Sequence, residues 1–128
     1  MTDDMGTFRT DVEIENPARP GKREALRSVL VDTDAELSWI PAHVLESLGV
    51  ERVKHLTFRQ ADGTVIARWV GVAVLHVGGT LTADDVVFGE PADMVLLGAR
   101  TLEGLNLRVD PVQKILVDAG PAPAAAAA

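Results

Sequence analysis

Cysteine is absent from the 128-residue chain, so no disulfide staples it and no thiolate can hold a metal. That absence fits a reducing, cytoplasmic setting. Tyrosine is absent as well, and the aromatics amount to two Trp and three Phe, so the core must be built from Val, Leu, Ile and Ala. The three histidines, His43, His55 and His76, show no ligand spacing, and the sequence offers no metal site and implies no cofactor. There is no Lys/Arg cluster, and the net charge of −7 argues against a nucleic-acid partner, whose phosphates need neutralising cations. No apolar run approaches the roughly 18–20 residues of a membrane span, so no membrane partner is expected. The opening "MTDDMGTFRT" is acidic and lacks the basic start of a signal peptide.

What is present suits one globular domain. Apolar residues make up 47%, too many for a disordered chain, and eleven Gly with seven Pro lean toward short strands and many turns. "FRTDVEIEN" alternates, with Phe8, Thr10, Val12 and Ile14 on one face and Arg9, Asp11, Glu13 and Glu15 on the other, which predicts a half-buried strand. "LRSVLVDT" reads as a second, central strand. "PAHVLESLG" predicts a short helix with Pro41 in its first turn, an apolar face of Val44, Leu45 and Leu48, and Gly49 as its cap.

The stretch from Val53 to Gly79 predicts a long hairpin turning at Ala61-Asp62-Gly63, where the Asp-Gly pair supplies the positive φ of a tight turn. "LTADDVVFGEP" adds a strand, with Asp84-Asp85 expected as solvated turn charges like Asp3-Asp4 near the start. Arg68 and His76 are expected to face outward, and Trp39 and Trp69 to pack in the core or a groove. A buried run, Val95-Leu96-Leu97, enters a short helix after Gly98, and "KILVD" closes the fold. The sum is seven or eight strands and two short helices without βαβ alternation, a mostly β domain expected to form a closed barrel. Residues 1–7 are expected as a flexible N-terminus, 8–118 as the domain, and 119–128 as a disordered Ala/Pro tail.

The unusual feature is "SVLVDTDAELSWIP", residues 28–41, where a buried strand runs into a turn carrying two carboxylates. A carboxyl at the end of a core strand meets a low dielectric, which favours its protonated form, and a second carboxylate nearby favours it further. Two such groups sharing one proton can activate a water and protonate a leaving amide. One chain of this size supplies a single strand end of this kind, and a two-fold dimer would supply the second.

"LVDTDAELSWIP" resembles the catalytic loop of the retropepsin-like aspartic proteases, in which two or more apolar residues precede Asp-Thr-Gly-Ala or Asp-Ser-Gly-Ala. "VLLGARTLEGLNL" is similar to that family's second landmark, an apolar-apolar-Gly run entering a helix, and the predicted hairpin falls where the family has its flap. The resemblance covers about residues 8–118 and implies a homodimer. It assigns Asp32 as the dyad aspartate and Thr33 as a hydroxyl bonding across the dimer axis. Ala35 matches the family's small residue, and Gly98, after Leu97, would pack beneath the loop. Gln60, Ala61, Asp62, Gly63 and Thr64 would form a flap closing over an extended polypeptide.

Position 34 departs from the family pattern, with Asp34 where glycine is usual. Three consequences are open. Repulsion among up to four carboxylates favours protonation and raises the working pH or disorders the loop. Alternatively the Asp34 side chain bonds local backbone N–H groups in an Asx turn and lies out of the way. Or the protein binds peptides without cutting them, as a regulatory module on the same fold. Outside the resemblance stands an unrelated small β-barrel binding protein in which Asp32 is a turn residue. The favoured expectation is an aspartic endopeptidase.

Overall fold

In the computed structural model, which describes residues 8–124, the chain is mostly β. The first strand, β1 (Arg9–Glu15), alternates as its sequence predicts: Val12 and Ile14 are buried while Arg9, Asp11 and Glu13 face solvent. It turns into β2 (Arg23–Val31), whose C-terminal end carries Val29 and Val31 into the core just before Asp32. A short strand, β3 (Ser38–Pro41), leads directly into α1 (Ala42–Ser47). Val44, Leu45 and Leu48 of this segment are all buried, as their spacing predicts. Pro41 is the last residue of β3 and the cap before α1, one step earlier than expected.

The predicted long hairpin is β4 (Lys54–Arg59) and β5 (Val65–Val77), which pair antiparallel from Lys54 opposite Val70 to Arg59 opposite Val65. β5 continues into β6 (Thr80–Gly89). Two residues, Leu96–Leu97, form β7, and α2 (Ala99–Leu105) follows Gly98 with Leu102 and Leu105 buried. The chain then forms β8 (Leu107–Asp110) and β9 (Ile115–Asp118). Seven or eight strands were expected and nine occur among the described residues. The strands not read from the sequence are β3 and β8, each of four residues, too few to establish alternation.

Hydrogen bonding joins β1, β2, β7, β3, β6 and β5 in that order, and β5 returns to β1, so six strands make a ring with β4 attached outside β5. Two of the pairings are parallel, β2 with β7 and β3 with β6. Inside the ring lie Ile14, Ile40, Leu45, Leu75, Val86 and Leu97, each fully buried. Burying each such aliphatic side chain is worth about 1.5–3 kcal/mol, and that burial holds the ring shut. A second, smaller cluster, Leu37, Val70 and Val87, lies under the β4–β5 hairpin with Trp39, Leu56 and Phe58 half-buried on it.

"KILVD" does not join this ring. β9 pairs with β8 in a separate two-stranded sheet, and Leu107, Val109 and Leu116 pack that sheet onto the core. The expected flexible residues 1–7, including Asp3-Asp4, lie outside the described residues, as do residues 125–128 of the expected Ala/Pro tail. No helix among the described residues is long and apolar enough to cross a membrane.

Candidate active site

The site is built where β2 and β7 end side by side. Val31 pairs with Leu97, so Asp32 and Gly98, the next residue on each strand, emerge together. The Asp32 N–H donates to the Leu97 carbonyl at 2.9 Å, extending the parallel pairing by one bond. Beyond it the chain folds into a tight turn. Oδ1 of Asp32 accepts the Asp34 N–H at 3.0 Å, and the Asp32 carbonyl accepts the Ala35 N–H at 3.2 Å. Asp32 and Ala35 are half-buried, whereas Thr33 and Asp34 are exposed.

The Asx turn is therefore made by the Asp32 side chain, with Asp34 as its N–H donor. Asp34 also adopts no glycine-like backbone: the described non-glycine residues with positive φ are Ser28, Asn106 and Lys114. An aspartate thus fits position 34 without backbone strain, and it is exposed.

Gly98 does require the lack of a side chain. A Cβ there would sit 2.5 Å from the Leu37 carbonyl oxygen and 2.8 Å from that of Glu36, both backbone atoms that cannot step aside. This approach lets α2 grip the acidic turn. The Ala99 N–H donates to the Ala35 carbonyl at 2.8 Å and the Arg100 N–H to the Glu36 carbonyl at 3.1 Å. The Gly98 N–H donates to Ser38 Oγ at 2.9 Å.

Above the turn stands the β4–β5 hairpin. Its tip, Gln60 to Thr64, is closed by the Gln60 N–H donating to the Thr64 carbonyl and the Gly63 N–H to the Gln60 carbonyl, with Gly63 at φ 90°. The Thr64 hydroxyl and N–H both donate to the Asp62 carboxylate, which holds that carboxyl below the usual aspartate range. A cavity of about 690 Å³ lies between hairpin and turn. Asp32, Asp34 and Ala35 line it together with Gln60 and Ala61 of the tip. The other residues singled out from sequence, Thr33, Asp62, Gly63, Thr64, Leu97 and Gly98, do not line it.

Its wall includes residues that sequence reasoning treated only as packing or passed over. Trp39 and Phe58 meet edge to face at 5.1 Å between centroids, giving one side an aromatic surface. Opposite charges line another part: Lys54 pairs with Asp85 at 3.1 Å, and Arg100 lies 3.3 Å from Asp84 and 3.8 Å from Asp85. The expectation that Asp84-Asp85 are solvated turn charges is thereby corrected, because both lie within β6 and the Asp84 side chain is only 8% exposed. A useful signal was Thr101, a hydroxyl on the same helical face as Leu105, where an apolar residue is the default.

Arg68 and His76 do not simply face outward either. Arg68 makes a bidentate pair with Asp93, Nε to Oδ2 at 2.7 Å and Nη2 to Oδ1 at 2.9 Å, tying the hairpin arm to the turn before β7. The Arg68 guanidinium, the Glu90 N–H and the charge of Arg68 hold the Asp93 carboxyl below its ordinary range against the opposing effect of burial. His76 Nε2 lies 2.6 Å from Glu15 across the β1–β5 seam, and the Gly21 N–H and His76 lower the Glu15 carboxyl. Among the described residues no group of three or more His, Asp or Glu side chains is arranged as a metal site.

The arrangement presents one half-buried carboxylate at a strand end, under a hairpin, lining a cavity of about 690 Å³. The family model described as gag-polyprotein putative aspartyl protease matches residues 24–104, a span containing the turn, the hairpin and Gly98. No curated protein matches the chain.

Proposed function

The chain belongs to the gag-polyprotein aspartyl protease family, and from that premise we propose that it is an aspartic endopeptidase acting as a homodimer on extended polypeptides. The observation that carries the reading is the position of Asp32, which leaves the end of β2 beside Gly98 at the end of the parallel strand β7 and lines the groove under the β4–β5 hairpin. The six-stranded ring is then the closed barrel of a retropepsin-like protomer, with residues 8–118 as its domain. The Gln60–Thr64 tip is its flap.

Each protomer contributes one Asp32. The two carboxyls, sharing a proton, hold the attacking water between them. One accepts a proton from that water; the other, protonated, polarises the scissile carbonyl and then supplies a proton to the departing amine. No metal and no covalent intermediate is needed. Thr33, exposed in the protomer, is available to bond across the two-fold axis. The flap tip supplies backbone groups to the substrate strand and excludes water on closing. The lack of cysteine fits action in a reducing, cytoplasmic compartment.

Specific activity as a function of protein concentration tests the shared site. Cleavage of a mixed peptide library per milligram should fall on dilution as dimers dissociate, in step with the sedimentation coefficient. Cleavage by a strict monomer, independent of concentration, would rule out a dyad made from two chains.

A further inference from the structure

Behind the acidic turn runs a chain of buried polar groups that the proposed reaction does not use. The Gly98 N–H donates to Ser38 Oγ, Ser38 Oγ lies 2.5 Å from Thr101 Oγ1, and the Thr101 hydroxyl donates to Asp84 Oδ2 at 3.1 Å. Ser38 and Thr101 are fully buried. The other Asp84 oxygen faces the Arg100 guanidinium at 3.3 Å. Ser38 and Thr101 are 63 residues apart, and Asp84 lies on a third element.

Proton counting gives this chain a direction. A hydroxyl donates one hydrogen bond, and an ionised carboxylate only accepts. With Asp84 ionised, the Thr101 proton goes to Asp84. The Ser38 proton must then go to Thr101, which leaves Ser38 to accept from Gly98. The charge on Asp84, balanced by Arg100, therefore sets the direction of the two hydroxyl links, and the Gly98 N–H closes the chain as a donor to Ser38.

The residues on either side of Gly98 hold the turn. Leu97 accepts from the Asp32 N–H, and Ala99 and Arg100 donate to Ala35 and Glu36. A displacement of Gly98 is thus passed to Asp32 from both sides. We infer that Asp84, Thr101 and Ser38 are positioning residues that fix the register of the Asp32 turn through Gly98. The inference rests on the reading of Asp32 as the catalytic acid, and none of the three touches substrate in that reading. Misplacement of a reacting group by about 1 Å can cost about 100-fold in rate.

The test compares Thr101→Val, which keeps the volume and cuts the chain, with Thr101→Ser, which restores the hydroxyl. A second variant, Asp84→Asn, keeps the size at position 84 and removes the charge that sets the direction. Thr101→Val should lower kcat about 10- to 100-fold with KM within about twofold, Thr101→Ser should recover most of that loss, and Asp84→Asn should fall between. Amide hydrogen exchange is read alongside, with protection at Asp32, Ala99 and Arg100 expected to drop in the valine and asparagine variants and to return with serine. Wild-type kcat and protection in both Thr101→Val and Asp84→Asn would overturn the inference. So would a serine variant no better than valine, because packing alone would then account for the loss. If the valine variant does not fold, Asp84→Asn decides. If the unsubstituted chain cleaves no peptide, the protease reading fails by itself and the exchange measurement alone decides whether Asp84 positions the turn.

Discussion

Asp32 and Gly98 leave adjacent parallel strands at the same level, and the amide of Asp32 bonds to the carbonyl of Leu97, the residue before Gly98. One position has a carboxylate and the other has no side chain. The missing side chain is required, since the backbone of α2 can grip the acidic turn only where nothing projects from residue 98.

Gly98→Ala therefore tests the architecture of the site. The added methyl would meet the carbonyls of Leu37 and Glu36, and relief requires the turn or the helix to move. Overpacking of this kind costs about 1–3 kcal/mol. The expected result in urea denaturation is a loss in that range, with peptidase activity reduced more than tenfold at temperatures where the variant remains folded. Full activity with unchanged stability would contradict the close packing.

Asp34→Gly separates the backbone role of position 34 from its charge. Asp34 does not occupy a glycine-only conformation, so glycine brings no relief and adds freedom to the unfolded chain. Stability should fall by about 0.5–1 kcal/mol. Removing one carboxylate per protomer from the groove also lessens repulsion on the Asp32 dyad, so the acidic limb of the kcat/KM profile should move to lower pH. Identical pH profiles for the two proteins would show that Asp34 does not sense the dyad.

Arg68 and Asp93 anchor the hairpin arm, and their pair has a defined pH dependence. The Arg68 guanidinium holds the Asp93 carboxyl below its ordinary value. A carboxyl that is more acidic in the folded chain than in the unfolded one adds stability above its unfolded pKa, and loses it as the pH falls through the folded value. Asp93→Asn should cost about 2 kcal/mol near neutral pH, the scale of hydrogen bonds to a charged group. The difference from wild type should shrink below about pH 4, where the unfolded aspartate begins to bind its proton. Urea midpoints near pH 6 and pH 3 measure it; an equal difference at both would mean that the pair is not ionic.

Much of this was legible in the sequence because it is local. Alternation from Phe8 to Glu15, the Asp62-Gly63 turn and the apolar run into Gly98 each declare themselves within a few residues, and the turn at Asp32 is marked by acids after Leu30-Val31. Other features depend on residues that only folding brings together. Ser38, Thr101 and Asp84 look like ordinary polar residues until β3, α2 and β6 meet, and Arg68 looks outward until the turn at Asp93 folds onto it. β3 and β8 were hidden by their length. The hydrogen bond at the Asp32 turn runs from the backbone of residue 34 to the side chain of residue 32, a detail that the identity of residue 34 does not reveal.

The most direct test of the central claim, that two copies of Asp32 form one catalytic site, is a subunit-mixing titration. Wild-type chain is mixed with Asp32→Asn at fixed total concentration, allowed to exchange subunits, and assayed on a cleavable peptide. If each site needs an aspartate from both chains, the rate follows the square of the wild-type fraction, about a quarter of full activity at equal mixing. A linear fall to about a half, or cleavage by Asp32→Asn alone, would contradict it.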